Sequence, residues 1–268
     1  MPITDLTGRT ALLTGATGGI GHAIARALHA RGAAVKLTAR RAEVLEELAS
    51  ELGDRAEVIP ADLSSPDEAR GLAERAGPVD LLVANAGVPG SGRLEDYTTE
   101  QVDRVLHVNL HAPVALAHAL LPGMLERGSG HLTFVSSIAG KVASANSSLY
   151  SATKFGLRGF GLSLHEDLRG TGVGCTVVFP GFISDAGMWA DSGLDLPAGL
   201  GPRTPEQVAE GVLRGIETNR AEVDVAGLMQ RFGGWLSGPS PGAVAAIMRR
   251  SGGDTLSSAL AEAQRGKR

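Results

Sequence analysis

The chain has 268 residues, enough for one large α/β domain or two small ones, and its 43% hydrophobic and 20% charged residues are typical of a globular protein with a substantial core. Its formal charge of −4, with acidic and basic residues interspersed, excludes a protein that binds a nucleic-acid backbone through a basic face. The single cysteine, Cys175, excludes an intrachain disulfide, and the apolar run around it predicts a buried, inert thiol.

The sequence shows neither an export signal nor a membrane span. Residues 1–10 lack a basic region followed by an apolar stretch, so we expect no signal peptide. The best candidate span, residues 105–121, is interrupted by Asn109, Pro113 and three histidines, and it is shorter than the roughly 20 apolar residues of a spanning helix. We therefore expect a cytoplasmic protein.

Short apolar runs alternate with longer segments of helical spacing, a pattern typical of repeated βαβ units. Several runs are apolar at consecutive positions, as in central parallel strands that are covered on both faces. The predicted strands are 10–14, 34–39, 57–60, 81–84, 132–136, 176–179 and 223–225. The predicted helices are 20–31, 42–52, 67–75, 100–125, 149–168 and 206–217. The sequence thus predicts an α/β protein with a Rossmann-type, doubly wound, mostly parallel seven-stranded sheet and helices on both faces.

Residue types at the helix ends support these boundaries. Ser65-Pro66 and Thr204-Pro205 each place a capping hydroxyl before a first-turn proline. Four glycines fall just past helix ends, where a left-handed residue is favoured: Gly32, Gly53, Gly77 and Gly170.

After about residue 227, glycine, proline and serine interrupt weaker helical patterns at 228–236, 243–250 and 256–265. We interpret residues 1–227 as a single Rossmann-fold domain. Residues 228–268 are interpreted as a helical C-terminal appendage and not as a second domain.

A glycine-rich turn, TGATGGIG at residues 14–21, joins the first predicted strand to the first predicted helix. Such a turn lets backbone N–H groups approach a pyrophosphate at the positive end of a helix. We expect Gly15 to form the tight turn, Gly19 to allow the close approach and Gly21 to leave room for the helix against the strand. Taken alone, the turn is also compatible with an ordinary loop.

The turn and five later motifs resemble the main branch of the short-chain dehydrogenase/reductase family, across residues 7–226. TGATGGIG matches the family's TGxxxGxG turn. The later matches, in the family's order, are Asn85-Ala86-Gly87, Asn109 in the long helix, Ser136-Ser137-Ile138-Ala139-Gly140, Tyr150-Ser151-Ala152-Thr153-Lys154 and Pro180-Gly181. Each motif alone is weak, but the ordered set is specific. The resemblance implies an oxidoreductase with the catalytic residues Asn109, Ser137, Tyr150 and Lys154.

Tyr150 and Lys154 are four residues apart on a predicted helix, so their side chains share one face. A phenol with a pKa near ~10 is a poor base, and lowering that pKa to about 7 requires roughly 4 kcal/mol. One ammonium at ~4 Å contributes about 4 kcal/mol at an effective dielectric constant of 20. The spacing therefore predicts an acid/base tyrosine activated by a lysine, although an isolated YxxxK is usually an exposed helix face.

Two further residues of the set are given supporting roles. Ser137 is expected to hydrogen-bond the substrate oxygen as charge develops, the alternative being a strand-end hydroxyl that satisfies a turn. The resemblance implies that Asn109 holds a water in a helix irregularity and relays protons toward Lys154. A buried amide bonded to backbone is the alternative for Asn109 and is compatible with that role. Ser136 is expected to be structural.

The residues after the second strand favour NADP. NAD enzymes of this fold place a carboxylate there to bond the ribose 2′-hydroxyl. Here Arg40 and Arg41 follow instead, and the planar guanidinium of Arg40 suits a 2′-phosphate, unless it is simply a solvated arginine at a helix start. Gly18 stands where many NADP-preferring relatives carry a basic residue, so NAD is not excluded.

The resemblance also implies where the coenzyme is bound. Asp62 is similar to the family residue that accepts a hydrogen bond from the adenine amino group, and Leu63 would pack nearby. The expected coenzyme contacts are Gly15, Thr17, Gly19, Ile20, Gly21, Arg40, Arg41, Asp62, Leu63, Asn85, Ala86, Gly87, Tyr150, Lys154, Pro180, Gly181 and Ile183.

The loop after Pro180-Gly181 departs from the family pattern. Relatives commonly place a threonine five positions after that proline to contact the nicotinamide carboxamide. Asp185 stands there in this chain, preceded by Ser184. Either the serine substitutes for the threonine or the loop follows another path.

Several other features have open interpretations. His107 and His111 have a metal-compatible spacing, but the stretch lacks a neighbouring glutamate and a third ligand, so no metal site is expected. Met188, Trp189, Leu194 and Leu196 are interpreted as lid residues that favour a lipophilic substrate, or else as core residues. The tail, with Trp235, Leu236 and Met248, is expected to cap the substrate pocket, to meet another subunit or to touch a membrane surface.

The leading hypothesis is an NADP-dependent oxidoreductase that interconverts a ketone or aldehyde and an alcohol by hydride transfer, with Tyr150 as acid/base. The alternatives are a 3-oxoacyl reductase, a steroid or lipid reductase, and a non-catalytic dinucleotide-binding regulatory protein. The expected partners are a small carbonyl or alcohol substrate and other copies of the chain. The resemblance implies a homodimer or homotetramer that pairs through the helices predicted at 100–125 and 149–168.

Overall fold

A computed structural model of the chain describes residues 2–185, 187–190, 192–194 and 200–267. Seven parallel strands form one sheet, and they are β1 (Thr10–Thr14), β2 (Ala34–Thr38), β3 (Ala56–Val58), β4 (Leu81–Ala84), β5 (Gly130–Val135), β6 (Val173–Pro180) and β7 (Glu222–Val225). Their order across the sheet is β3-β2-β1-β4-β5-β6-β7, and every neighbouring pair is parallel. The predicted fold class is confirmed, with strand ends that differ from the prediction by up to three residues.

Eight α-helices lie between β1 and β7 in the described part of the chain: α1 (Gly19–Ala30), α2 (Ala42–Leu52), α3 (Glu68–Ala76), α4 (Thr99–Leu106), α5 (Ala112–Glu126), α6 (Ser148–Asp167), α7 (Gly187–Ala190) and α8 (Pro205–Thr218). Side chains alternate between the two faces of the sheet because a strand has a period of two residues. Leu13 therefore packs on the face covered by α1, α2 and α8, whereas Leu12 packs on the face covered by α3, α5 and α6. Both faces are thus buried, as the continuous apolar runs predict.

The core around β6 also contains the lone cysteine. All eight residues of β6 are buried, so the strand extends beyond the predicted 176–179. The Cys175 thiol donates a hydrogen bond to the carbonyl of Gly161, and burial raises the pKa of this thiol to about 12. These observations agree with the predicted inert thiol.

Of the two predicted hydroxyl caps, the one at Thr204 is present and the one at Ser65 is not. At α8, the Thr204 hydroxyl accepts from the Gln207 N–H at 3.3 Å and the Gln207 side chain accepts from the Thr204 N–H at 3.1 Å. This confirms the predicted cap. The prediction for Ser65 is wrong, because a turn separates it from α3, whose N-cap is Asp67 without a side-chain cap. The four glycines past helix ends all have the positive φ that was predicted, namely Gly32, Gly53, Gly77 and Gly170.

The long helix predicted at 100–125 is divided. A π-helical turn, His107–His111, separates α4 from α5. The combined segment Thr99–Glu126 has 28 residues and contains an 18-residue window with a mean hydropathy of 1.3, so by length and composition it resembles a membrane span. Val105, Ala112 and Leu116 of this segment are buried in the protein, as expected of a core helix.

The order of the strands reverses beside β1, because β2 and β3 lie on one side of it and β4 on the other. In open α/β sheets, ligands bind in the crevice at the carboxyl ends of the strands where such a reversal occurs. The glycine-rich turn follows β1 and Asn85-Ala86-Gly87 follows β4, so both motifs border this crevice.

The C-terminal segment forms three helices, α9 (Leu228–Ser237), α10 (Pro241–Arg250) and α11 (Gly253–Gln264). Helix α9 packs on the 3-10 turn Ile138–Gly140, and α10 packs on α9 and α11. The Asn146 side chain donates to the Ser258 hydroxyl at 3.0 Å, which attaches α11 to the segment before α6. The tail therefore lies over the carboxyl ends of the central strands.

Candidate active site

The four residues expected to be catalytic lie close to the carboxyl end of β5. Ser137 follows β5, Tyr150 and Lys154 lie on one face of α6, and Asn109 lies in the π-helical turn. The Ser137 hydroxyl lies beside the Tyr150 hydroxyl, where it acts to lower the pKa of the phenol. Lys154 is 3% exposed and Asn109 is 1% exposed. The fold thus places a phenol, a hydroxyl, an amine and an amide in one region.

Lys154 is held by the strand below it. Its Nζ donates to the Val135 carbonyl at 3.1 Å and lies 5.6 Å from the centre of the Tyr150 ring. Burial lowers the pKa of the Lys154 ammonium to about 8. The ammonium is therefore charged at neutral pH and loses its charge at mildly alkaline pH.

The Tyr150 phenol differs from the sequence-based expectation. Burial raises the pKa of Tyr150 to about 12, and the hydrogen bond with Ser137 only partly offsets this. The expectation that Lys154 lowers this pKa toward 7 is wrong, because desolvation of the phenolate dominates. A protonated phenol at neutral pH is a proton donor, which suits the addition of a proton to a substrate oxygen.

The amide of Asn109 is bonded to backbone. Its Oδ1 accepts from the Val88 N–H at 2.8 Å, and its Nδ2 donates to the Val88 carbonyl at 2.9 Å. This arrangement corresponds to the alternative reading of Asn109, and the expected helix irregularity is present as the π-helical turn. Asn109 thereby fixes the segment after β4 against the long helix.

Ser136 and Gly140 pack against α6, the helix that carries Tyr150 and Lys154. The Ser136 hydroxyl donates to the Lys154 carbonyl at 3.0 Å, as its predicted structural role requires. A Cβ on Gly140 would lie 2.7 Å from that carbonyl oxygen and 2.8 Å from the Ser136 hydroxyl. The close packing explains why a glycine occupies this position.

The glycine-rich turn has no room for side chains at two positions. Gly15 has a φ of +68°, and a Cβ there would lie 2.8 Å from the Cα of Ala86. A Cβ on Gly21 would meet the Gly15 carbonyl and lie 2.8 Å from the Cα of Ala16. Helix α1 therefore begins directly against the turn, with its N–H groups directed to the crevice.

Thr14 organises this region, although the sequence analysis gave it no role. Its buried hydroxyl accepts from the N–H groups of Asn85 and Ala86 at 3.1 and 3.0 Å. The Asn85 side chain donates in turn to the carbonyls of Thr14 and Gly15, at 3.2 and 3.1 Å. These bonds join the ends of β1 and β4, so Asn85 positions the turn.

A cavity of about 560 Å³, here called the turn cavity, lies at the glycine-rich turn. Every residue expected to contact the coenzyme before residue 88 lines it: Gly15, Thr17, Gly19, Ile20, Gly21, Arg40, Arg41, Asp62, Leu63, Asn85, Ala86 and Gly87. Gly18 also lines it, as does Arg104 of α4, a third guanidinium that the sequence analysis missed. No spacing pattern marks Arg104, because it is brought there only by the packing of α4.

The polar end of the turn cavity carries charges of both signs. Arg41 Nη2 lies 3.5 Å from the Thr17 carbonyl oxygen, and Arg40 is exposed beside it. Burial acts to raise the pKa of Asp62, but hydrogen bonds from Ser64 and the charges of Arg40 and Arg104 outweigh burial, so this pKa is lowered. Asp62 is therefore a carboxylate acceptor at neutral pH.

A second cavity of about 650 Å³, here called the tail cavity, lies between the residues expected to be catalytic and the C-terminal helices. Ser137, Tyr150, Lys154, Pro180, Gly181 and Ile183 line it. Most of its other lining residues are apolar, and Lys154 is its only charged one among the described residues. Six residues line both cavities, and so mark their junction: Ile20, Asn85, Gly87, Gly187, Met188 and Gln264.

The loop after β6 follows a path of its own. Ser184 donates to the Arg203 carbonyl through its N–H at 2.9 Å and its hydroxyl at 3.4 Å. Asp185 has a φ of +63°. Neither residue is among the described residues that line the two cavities, so the serine does not take the place of the family's threonine.

The expected lid residues differ in position. Met188 and Trp189 line the tail cavity, and the Trp189 ring lies 4.5 Å from the Phe182 ring. Leu194 lines neither cavity, and Leu196 lies outside the described residues.

The His107 and His111 rings stack at 4.4 Å, and within the described ranges no three metal-ligating side chains converge.

Two glutamines from the tail were missed by the sequence analysis. Gln230 of α9 and Gln264 of α11 both line the tail cavity, and they are 9% and 3% exposed. Each has one side-chain polar atom without a hydrogen-bond partner among the described residues, Nε2 in Gln230 and Oε1 in Gln264. A glutamine in a weak helical pattern carries no sequence signal for such a position.

Comparison with known proteins gives similarity along most of the chain. It is 37% identical over 230 residues to the ketoacyl reductase HetN of Nostoc sp., a match that covers 83% of this chain and 80% of that protein. A metagenomic short-chain oxidoreductase in complex with NADP has a TM-score of 0.71 at 34% identity, covering 82% of this chain and 98% of the other. An actinorhodin polyketide ketoreductase variant with NADPH has a TM-score of 0.74 at 32% identity, covering 85% and 98%. The family model described as short chain dehydrogenase matches residues 9–196.

Proposed function

The chain belongs to the short-chain dehydrogenase/reductase family of NAD(P)-dependent oxidoreductases, and from this premise we propose that it uses NADPH to reduce an apolar ketone or aldehyde to an alcohol, and catalyses the reverse reaction with NADP. The observation that carries the proposal is that the Ser137 and Tyr150 hydroxyls and the buried ammonium of Lys154 line the larger of two adjoining cavities. The turn cavity is assigned to the coenzyme and the tail cavity to the substrate.

The residues of the turn cavity fit a dinucleotide phosphate. Gly15 and Gly21 leave no space for a Cβ, so backbone N–H groups at the start of α1 are accessible to a pyrophosphate. Arg40 and Arg41 would hold the 2′-phosphate, and Asp62 would accept from the adenine amino group. Ile183, which lines the adjoining tail cavity, would lie at the nicotinamide. The NADP and NADPH in the two related structures support this choice of coenzyme.

Arg40 distinguishes the two coenzymes. The change Arg40→Ala should weaken NADPH binding by roughly tenfold or more, because a charge-assisted hydrogen bond to phosphate contributes about 1.5–3 kcal/mol. NADH binding should be almost unchanged, since NADH lacks the 2′-phosphate. Titration of both coenzymes against the variant and against Arg169→Ala, a surface control, tests this assignment. Equal losses for NADH and NADPH would argue against it.

The chemistry that we assign to the tail cavity balances as a two-electron reduction. When bound, NADPH supplies the hydride that the carbonyl carbon takes up. Tyr150 donates its proton to the carbonyl oxygen, and Ser137 donates a hydrogen bond to the same oxygen as negative charge develops there. The Lys154 ammonium stabilises the phenolate that remains on Tyr150. In the oxidative direction each proton movement is reversed.

The lining of the tail cavity defines the substrate class. A substrate with a charge on its buried part would lose hydration without gaining an opposite charge, apart from Lys154 at the reacting end. The Phe182, Phe232 and Leu236 side chains instead favour aliphatic or aromatic groups. We therefore propose a neutral, lipophilic carbonyl compound.

A panel of ketones, aldehydes and alcohols of increasing chain length, followed at the NADPH absorbance band with both coenzymes, tests the proposed activity. Turnover should increase with the apolar bulk of the substrate. Coenzyme binding without turnover on any member would favour a dinucleotide-binding regulatory protein instead.

A 3-oxoacyl reductase is the second candidate, and Gln230 favours it. The Gln230 Oε1 accepts from the Gly227 N–H at 3.0 Å, so Nε2 is the donor left to the cavity. A 3-oxoacyl thioester carries a second carbonyl, which would accept from this group. The names of two relatives, a ketoacyl reductase and a polyketide ketoreductase, agree with it. To distinguish the two candidates, rates on 3-oxoacyl thioesters and on simple ketones are measured side by side for the wild type and for Gln230→Leu.

We also propose that the protein self-associates as a homodimer or homotetramer through α4, α5 and α6. Leu106, Leu125 and Phe155 on these helices are 37%, 40% and 38% exposed. Light scattering of the wild type and of Phe155→Ser tests this arrangement, and an unchanged mass in the variant would exclude this contact.

A further inference from the structure

We propose that Gln264, near the end of the last helix, binds the nicotinamide-nucleoside end of the coenzyme by accepting a hydrogen bond from it. The C-terminal segment would then form part of the coenzyme site as well as the roof of the substrate site. This inference rests on the proposed coenzyme chemistry and adds a residue that lies well beyond the Rossmann-type part of the chain.

The position of Gln264 is the first argument. It lies at the junction of the turn cavity and the tail cavity, and its exposed fraction is only 3%. Of the residues at this junction, only Asn85 and Gln264 have polar side chains. The Asn85 side chain donates to the carbonyls that end β1, so it is already committed to the turn.

The orientation of the Gln264 amide is the second argument. Its Nε2 donates to the Met188 carbonyl at 3.3 Å. A carbonyl only accepts, so this contact requires the nitrogen to face Met188 and the oxygen to face the other way. The Oε1 is buried and has no donor among the described residues. A buried acceptor without a donor is unfavourable, so this atom favours a ligand that brings an N–H or O–H group.

The chemistry of the coenzyme then limits what Gln264 can contact. Pyrophosphate and 2′-phosphate oxygens are acceptors at neutral pH and cannot donate to Oε1. The nicotinamide carboxamide has an N–H₂ group, and the neighbouring ribose has hydroxyl groups. Both lie at the end of the coenzyme that must reach Tyr150, and the junction where Gln264 lies is the part of the turn cavity that opens toward Tyr150.

In the described part of the loop after β6, neither Ser184 nor Asp185 competes with Gln264 as an acceptor. The Ser184 hydroxyl is bonded to the Arg203 carbonyl, and Asp185 lines neither cavity. Helix α11 is in contrast well attached, because Asn146 donates to Ser258 at 3.0 Å and Ala261 is buried. Gln264 is therefore held in place by its helix and by Met188.

The test uses the full-length protein and two variants of α11. Gln264→Met keeps the length of the side chain and removes the acceptor, whereas Glu262→Met changes an exposed residue of the same helix. Binding constants are measured by calorimetry for NADP, for its 3-acetylpyridine analogue, which lacks the carboxamide N–H₂ group, and for 2′,5′-ADP, which lacks the nicotinamide nucleoside.

Gln264→Met should weaken NADP binding by roughly five- to tenfold, the effect of one lost hydrogen bond, and leave the affinity for 2′,5′-ADP unchanged. If the carboxamide is the donor, wild type and variant should bind the acetylpyridine analogue equally. If a ribose hydroxyl is the donor, the analogue should show the same loss as NADP. Glu262→Met should bind all three ligands like the wild type.

An unchanged affinity of Gln264→Met for NADP would overturn the inference, and so would an equal loss for 2′,5′-ADP, which indicates an indirect effect. If Gln264→Met fails to fold, Gln264→Glu tests the position of this side chain by a different readout. It retains an acceptor and adds a negative charge beside the nicotinamide, so it should favour oxidised over reduced coenzyme relative to the wild type. A wild type that binds neither NADP nor 2′,5′-ADP would instead refute the proposed function itself.

Discussion

The turn cavity and the tail cavity are built from different kinds of structure. The turn cavity lies among strand ends and tight backbone turns, where Thr14, Asn85 and two glycines leave almost no freedom in residue type. The tail cavity is roofed by three helices that expose apolar side chains to solvent, among them Leu228, Phe232 and Trp235, at 77%, 55% and 71%. Backbone geometry therefore limits the residue types around the turn cavity. Around the tail cavity, the shape and polarity of a ligand are the main limits on residue type.

This difference predicts that changes around the turn cavity affect coenzyme binding and that changes in the tail affect substrate selection. Only the proposed proton donor, Tyr150 in the tail cavity, should alter turnover without altering either kind of binding.

The largest effect is expected for Tyr150→Phe. Removal of the phenol hydroxyl deletes the proton donor, and general acid catalysis contributes about 10²–10⁴-fold, so turnover should fall by that amount. The affinity for NADPH should be almost unchanged, since the ring remains in place. Steady-state rates and NADPH titration check this, and a wild-type turnover number in the variant would remove Tyr150 from the mechanism.

A large effect on coenzyme binding is expected for Gly15→Ala. The alanine has to adopt a φ of +68° and its Cβ would press on Ala86, so the turn must move and NADPH affinity should fall by about tenfold or more. Gly53→Ala is the matched control, because Gly53 has a φ of +82° with no atom near its Cβ position. Gly53→Ala should lower thermal stability and leave NADPH binding intact, and equal binding losses in both variants would show that strain alone is responsible.

A moderate effect is expected from pH. Burial lowers the pKa of Lys154 to about 8 and raises that of Tyr150 to about 12. As pH rises above about 8, Lys154 loses its charge while Tyr150 stays protonated, so the rate of carbonyl reduction should decrease by up to about tenfold per pH unit. A rate profile from pH 6 to 10 at saturating NADPH measures this. A rate that stays constant through pH 9 would contradict the assigned role of Lys154.

The smallest effect is expected in the tail. Phe232 lines the tail cavity and Trp235, on the same face of α9, is not one of its lining residues. Phe232→Ala should raise KM for a long-chain ketone by several-fold, since it removes about 1–2 kcal/mol of apolar contact, and leave kcat and NADPH affinity unchanged. Trp235→Ala should leave KM unchanged. Equal KM values for wild type and Phe232→Ala would show that this residue of α9 does not contact the substrate.

Much of the fold and of the turn cavity was predictable, because local chemistry determines it. Continuous apolar runs specify buried parallel strands, positive-φ turns require glycine, and the four-residue spacing of Tyr150 and Lys154 places both on one face of a helix. Ser65 was misassigned as a cap because a hydroxyl before a proline also occurs in an ordinary turn.

The remaining features depend on contacts between distant parts of the chain. Arg104 reaches the turn cavity because α4 packs beside it, and Gln230 and Gln264 reach the tail cavity because the last helices fold back over the sheet. The pKa of Tyr150 likewise depends on how deeply the phenol is buried.

The sequence by itself determined the sheet, the glycine-rich turn and the identity of the tyrosine–lysine pair, since each depends on residues close together in the chain. Only the tertiary structure decided the direction of the Tyr150 pKa shift, the path of the loop after β6 and the inclusion of the tail in the site. These depend on burial and on long-range packing, and neither is encoded by local spacing.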